Sequence, residues 1–161
     1  MTRRATVTAA LALALGACGG QATHSKSAPT TTVAPIYTIT GTMALHGTLF
    51  SLDNTDTISY DQDTLACFGT NGYDDIKEGA EVTVVNQDGK TIGNSVLNAG
   101  RLPNTPANIN THETTCSFSF TVHDIPRADF YKIEVAHRGQ LTYSFSEMSS
   151  NNWSVEVSLG S

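Results

Sequence analysis

"CSFSFTV", residues 116–122, decides the fold. Its apolar residues fall at every second position, with Cys116, Phe118, Phe120 and Val122 on one side and Ser117, Ser119 and Thr121 on the other. Successive side chains leave a strand on opposite faces, so this period marks a strand with one buried and one solvated side. The period recurs on both flanks. "YTITGTMALHGTL" (37–49) sets Tyr37, Ile39, Met43, Leu45 and Leu49 on one parity and threonines mostly on the other. Gly41 and Gly47 within it predict bulges, or a break into two strands. "WSVEVSL" (153–159) aligns Trp153, Val155, Val157 and Leu159. No stretch has helical periodicity with caps at both ends. Turn-forming clusters lie between the strands: "NQDGK", "DIPRAD", "HRGQ" and "SSNN".

Two hairpins follow from this spacing. In "FYKIEVAHRGQLTYSF" (130–145) a two-residue loop would bury the apolar set of one strand only. A three-residue loop, His137-Arg138-Gly139, pairs Val135 with Leu141, Ile133 with Tyr143 and Tyr131 with Phe145. It also puts glycine at the left-handed position of a bulged hairpin. "NQDGK" fits two registers: Asp-Gly suits a two-residue loop, whereas three residues pair Val84 with Ile92. Seven or eight short strands of this kind predict an all-β chain, an antiparallel β-sandwich of immunoglobulin-like or transthyretin-like form.

The chain has 161 residues, the length of one domain, and its sparse charge is acidic, formally −6. Such a surface is repelled by phosphate backbones and anionic headgroups, so nucleic acid is excluded as a partner and no basic patch attaches the chain to a membrane.

The N-terminus supplies another attachment. "MTRR" is a positive n-region and "ATVTAALALAL" an apolar run of about eleven residues, short of the roughly 20 needed to span a bilayer. Leu15-Gly16-Ala17-Cys18 then resembles the lipobox of bacterial lipoproteins. The resemblance implies that residues 1–17 are a signal peptide, that the Cys18 thiol receives a diacylglycerol, and that cleavage makes Cys18 the new N-terminus. Losing Arg3 and Arg4 would take the net charge from −6 to −8. Two acyl chains anchor a protein stably where one holds it only marginally. The alternative is an ordinary secreted protein with an incidental cysteine. Arg3-Arg4 raises twin-arginine export, but "TRRATVT" lacks the hydrophobic residues expected soon after the pair. Residues 18–35, "CGGQATHSKSAPTTTVAP", have almost nothing to bury and are expected to form a flexible tether carrying a domain at 36–161. His24 in the tether is expected to be solvated.

With Cys18 lipidated, Cys67 and Cys116 remain, and an even pair in an exported chain predicts a disulfide. No C-x-x-C pair or adjacent base supports a redox or nucleophilic thiol. From Cys67 to Met148 the chain resembles a domain of exported or membrane-linked actinobacterial proteins. The residues that carry the likeness are C-x-G-x-x-G-Y-x-D-I at 67–76, the "VTV…DG" hairpin, a cysteine before F-x-F-x-V, and "FYKIEVAHRG" at 130–139. The resemblance implies an architecture and no reaction. "RLPNTPANINTHETT" (101–115) is longer than that pattern expects.

Candidate chemistries are few. Asp53, Asp56, Asp61, Asp63, Asp74, Asp75, Glu78, Glu81 and Asp88 raise calcium, which takes six to eight oxygens, but no EF-hand spacing is present. His46, His112, His123 and His137 form no zinc-ligand motif. "GNSVL" fails as a nucleophile elbow. Asp74-Asp75 in "GYDDI" fits a tight turn better than a catalytic dyad. His137-Arg138 is expected to be a turn carrying a surface cation; the alternative pairs Arg138 with a nearby carboxylate. Asn152-Trp153-Ser154 matches a glycosylation acceptor, which a bacterial host makes a coincidence. No catalytic, metal or cofactor residues emerge. The expectation is a lipid-anchored protein on the extracytoplasmic face of the cell membrane. It would be a binding or structural module with an envelope protein or glycan partner, acting through Asp53–Asp63 and the loop Arg101–Thr115. The alternatives are an extracytoplasmic enzyme with loop catalytic residues and a ligand- or calcium-binding lipoprotein.

Overall fold

The computed structural model describes residues 33–49, 55–103 and 113–160. The signal peptide, Cys18, His24, Asp53, His112 and most of the 101–115 loop lie outside the described residues. The described chain forms, in order, β1 (Ile36–Thr48), β2 (Ile58–Tyr60), β3 (Ala66–Gly69), β4 (Glu81–Asn86), β5 (Thr91–Val96) and β6 (Gly100–Arg101). It continues through β7 (Glu113–Pro126), β8 (Phe130–Val135), β9 (Gln140–Ser144), α1 (Phe145–Ser150) and β10 (Ser154–Leu159). One sheet has the order β10-β1-β7-β6-β3-β2 and the other β5-β4-β8-β9. Together they make a β-sandwich.

The alternation read from the sequence builds its core. Cys116, Phe118, Phe120 and Val122 of β7 and Ile39, Met43 and Leu45 of β1 are buried on the inner face of the first sheet. Val82, Val84, Tyr131, Ile133 and Val135 face them from the second. Between the pairs Ile39↔Val122 and Tyr37↔Ile125, two residues of β7 oppose Thr38 alone. Asp124 takes φ 58° there, a left-handed conformation that Asp tolerates better than most residues. This bulge reverses the parity of β7 and turns Ile125 inward as well.

Four details depart from the sequence expectation. Among the described residues the strands number ten, because short segments such as β2 and β6 carry too few residues to show a period. β1 is one strand of 13 residues. Gly41 does not break it but leaves room for the Phe120 ring directly opposite, where a Cβ would clash. The β1–β10 pair is parallel while all the other described pairs are antiparallel.

The fourth is hairpin register. β8 and β9 pair Ile133 with Leu141 and Tyr131 with Tyr143, two residues away from the predicted register. Parity is preserved, so the same side chains face inward. Ala136 and His137 adopt φ 48° and 59°, closing a tight turn in which Arg138 N donates to Val135 O at 2.9 Å. Gly139 takes the positive φ expected of it, 95°. In "NQDGK" the three-residue loop holds at the turn, with Val85 opposite Thr91, and a bulge then sets Val84 against Gly93 instead of Ile92.

Candidate functional site

β9 and β10 are edge strands of opposite sheets, and both border one lateral side of the sandwich. One half of that side carries α1, which joins them, beside a polar groove lined by Tyr143, Ser150, Ser154 and Glu156. The Ser144 hydroxyl accepts from Glu147 N at 3.2 Å, and the Glu147 carboxylate accepts from Ser144 N at 2.7 Å. That reciprocal pair is a capping box, and it holds the Glu147 carboxyl below its usual range. Met148 of α1 is fully buried. The chain then turns through Asn152 and Trp153, both at positive φ. Trp153 stacks on Tyr37 with ring centroids 4.0 Å apart and meets Tyr131 and Phe145 edge-on. A bulky residue at φ 59° is strained, and this packing holds it there.

The other half of the side is open. A cleft of about 200 Å³ runs between the start of β9 and the end of β10. Its walls are Met43, Val135, Leu141, Val157 and Leu159, with Arg138 and Gln140 at the rim.

Arg138 ties this rim to a distant part of the sequence. Its Nε donates to Asp75 Oδ2 at 2.7 Å and its Nη2 to Gly72 O at 2.6 Å; Nη2 also reaches Asp75 Oδ1. The guanidinium lies 5.2 Å from the Tyr73 ring centroid. The hydrogen bond from Arg138 holds the Asp75 carboxyl below the usual aspartate range, and the same bond raises the arginine. Both side chains are partly exposed, so the pair contributes at most about 1 kcal/mol, and its main effect is to fix geometry. Arg138 is therefore not a plain surface cation but is paired with Asp75, while "GYDD" is the tight turn foreseen: Ile76 N donates to Tyr73 O at 2.8 Å. His137 turns the other way, with Nδ1 3.2 Å from Glu134 Oε1 and Nε2 3.9 Å from Glu81 Oε2.

Cys67 and Cys116 are joined by a disulfide, Cα–Cα 5.9 Å. It links β3 to β7 across the two-residue β6, where Gly100 has no room for a Cβ beside the Cys116 sulfur and the Phe118 ring.

The remaining sequence candidates are dispersed. Asp61 caps its own turn, accepting from Thr64 N at 2.7 Å, and that bond lowers its pKa. Asp74 accepts from Gly72 N at 3.1 Å, and Asp88 takes the Asn86 amide at 3.2 Å. His46 on β1 meets the Thr115 hydroxyl on β7 at 3.0 Å. Among the described residues no three His, Cys, Asp or Glu side chains gather as a metal ion would require. The cleft itself was missed. Its walls come from four strands of two sheets, and no local pattern reports that meeting. The capping box Ser144-x-x-Glu147 was a legible signal for α1. No family model, curated protein or solved structure matches the chain, which leaves its own residues as the ground for a functional assignment.

Proposed function

We propose that the protein is a lipid-anchored, extracytoplasmic binding module of the cell envelope, held at Cys18 and acting by contact. The observation that carries this is the open half of the lateral side: an apolar cleft lined by no histidine and no carboxylate, flanked by the edges of β9 and β10. Edge strands offer backbone donors and acceptors to an incoming extended segment, and pockets beside them select its side chains. The Arg138–Asp75 pair fixes the rim on the β9 side, which lowers the entropic cost of binding. The partner of matching chemistry is an extended stretch of another envelope protein with apolar residues at alternate positions. The enzyme alternative needs a nucleophile beside a base; the described hydroxyl–imidazole pair, Thr115 and His46, does not line this cleft, and the Ser144 hydroxyl beside Glu147 is taken up in the cap of α1.

A photo-crosslinking residue at position 141, introduced into the anchored chain in living cells, tests the contact. Position 141 is expected to give a discrete adduct with one envelope protein. The same residue at position 90, on the β4–β5 hairpin, is expected to give none, and Val157→Asp should remove the adduct from 141. No adduct from 141, or equal adducts from both positions, contradicts a partner at the cleft.

A further inference from the structure

We infer that the end of the sandwich where the tether enters is a membrane-docking surface, whose partner is the lipid–water interface of the bilayer holding the anchor. This rests on Cys18 being lipidated.

Four features converge on that end. The first is apolar exposure. Val33 and Ile36, at the start of the described chain, are 84% and 63% exposed, and Phe130 is 47% exposed. Ile36 pairs with Pro126, and Arg127–Asp129 lead directly into Phe130, so these residues share one end of the molecule. The second is aromatic character. Tyr37, Phe145 and Trp153 cluster at this end, all partly exposed. Tyr and Trp present an apolar body and a polar tip, the combination enriched at membrane interfaces.

The third is charge. Arg127 lies 3.8 Å over the Phe145 ring, and Lys132 stands near the start of β8. Long basic side chains lay their stems along apolar surface and send the head to phosphate level. The acidic turns at Asp61–Asp63 and Asp74–Glu78 sit away from this end, on the hairpin after β2 and beside the β8–β9 loop. Asp124, Asp129 and Glu147 share this end with the two basic residues, so the contact with the bilayer is apolar and interfacial and not a net electrostatic attraction.

The fourth is reach. Val33 lies fifteen positions after Cys18, and the sequence between them is rich in Gly, Ser, Thr and Pro. On the tether reading of the sequence, a flexible linker of that length would have an r.m.s. span of about 20 Å, which would keep this end within reach of the headgroups. An anchored tether then makes even a weak surface contact effectively intramolecular.

The chain contains a single tryptophan, Trp153, and it lies in the cluster. The full-length protein is purified from membranes and reconstituted into phosphatidylcholine–phosphatidylglycerol vesicles, either plain or with brominated acyl chains. Docking that sinks the cluster about 5–10 Å into the interface should cut Trp153 emission by about half in brominated vesicles. Ile36→Ser combined with Phe130→Ser should restore it, and Leu141→Ser should leave the quenching unchanged. Flotation with the vesicles but equal emission in both kinds overturns docking while leaving the anchor in place. Quenching that survives the double substitution puts the contact elsewhere and overturns it equally. A protein that does not float has no anchor, and the docking surface falls with it.

Discussion

Replacing both Cys67 and Cys116 by alanine is expected to lower the unfolding free energy by about 4 kcal/mol. The bridge closes a loop with a sequence separation of 49, and the chain-entropy cost released to the unfolded state for such a loop has that size. Both cysteines are buried, so no solvent competes for their place in the core. The bridge also fastens the short strands β3 and β6 to the long β7, and a β6 of two residues has little else to hold its register. Domains of this size are stable by only about 5–15 kcal/mol, so the loss removes a large part of the total. Urea denaturation of the oxidised protein and the double variant measures it. A midpoint unchanged between the two means the bridge does not stabilise the fold.

Phe120→Ala should cost about 3–5 kcal/mol, since the ring is buried and stands over Gly41 in the middle of the β1–β7 pair. Gly41→Val should also destabilise, by about 1–3 kcal/mol, because its side chain would enter the space the ring fills. Together the two changes should cost less than their sum, by more than about 0.5 kcal/mol, as the new methyls partly fill the vacated volume. Denaturant midpoints of the four proteins in the cycle report this. Strict additivity would mean that Gly41 and Phe120 do not face each other.

The legible part of this fold was the part written as period two. Cys116 to Val122 announced the central strand, and the burial of each alternate residue followed. The disulfide was legible from cysteine arithmetic. Register was less so. The predicted β8–β9 pairing kept the right faces but missed by two residues, because parity is set by the hydrophobic pattern whereas register is set by the loop. That loop is shaped by Ala136 and His137 at positive φ and by the reach of Arg138 to Asp75, 63 residues away in sequence. The β7 bulge at Asp124 was hidden for a similar reason: one left-handed residue reverses a parity that the composition does not flag. α1 went unseen because six residues cannot show a helical period, although its capping box was present. Of the candidate site, only the turn at Arg138 was expected, and its pairing with Asp75 was the lesser alternative, because the carboxylate stands 63 residues away in sequence. The cleft belongs to the juxtaposition of two sheet edges, which no local pattern encodes.

Everything said of location depends on Cys18, so the most direct measurement is there. The chain is expressed in a bacterium supplied with labelled palmitate, beside a Cys18→Ala variant. The wild type is expected to carry label and to sediment with membranes, and the variant to carry none. Equal labelling of both proteins, or no label in either, would contradict a lipid-anchored module.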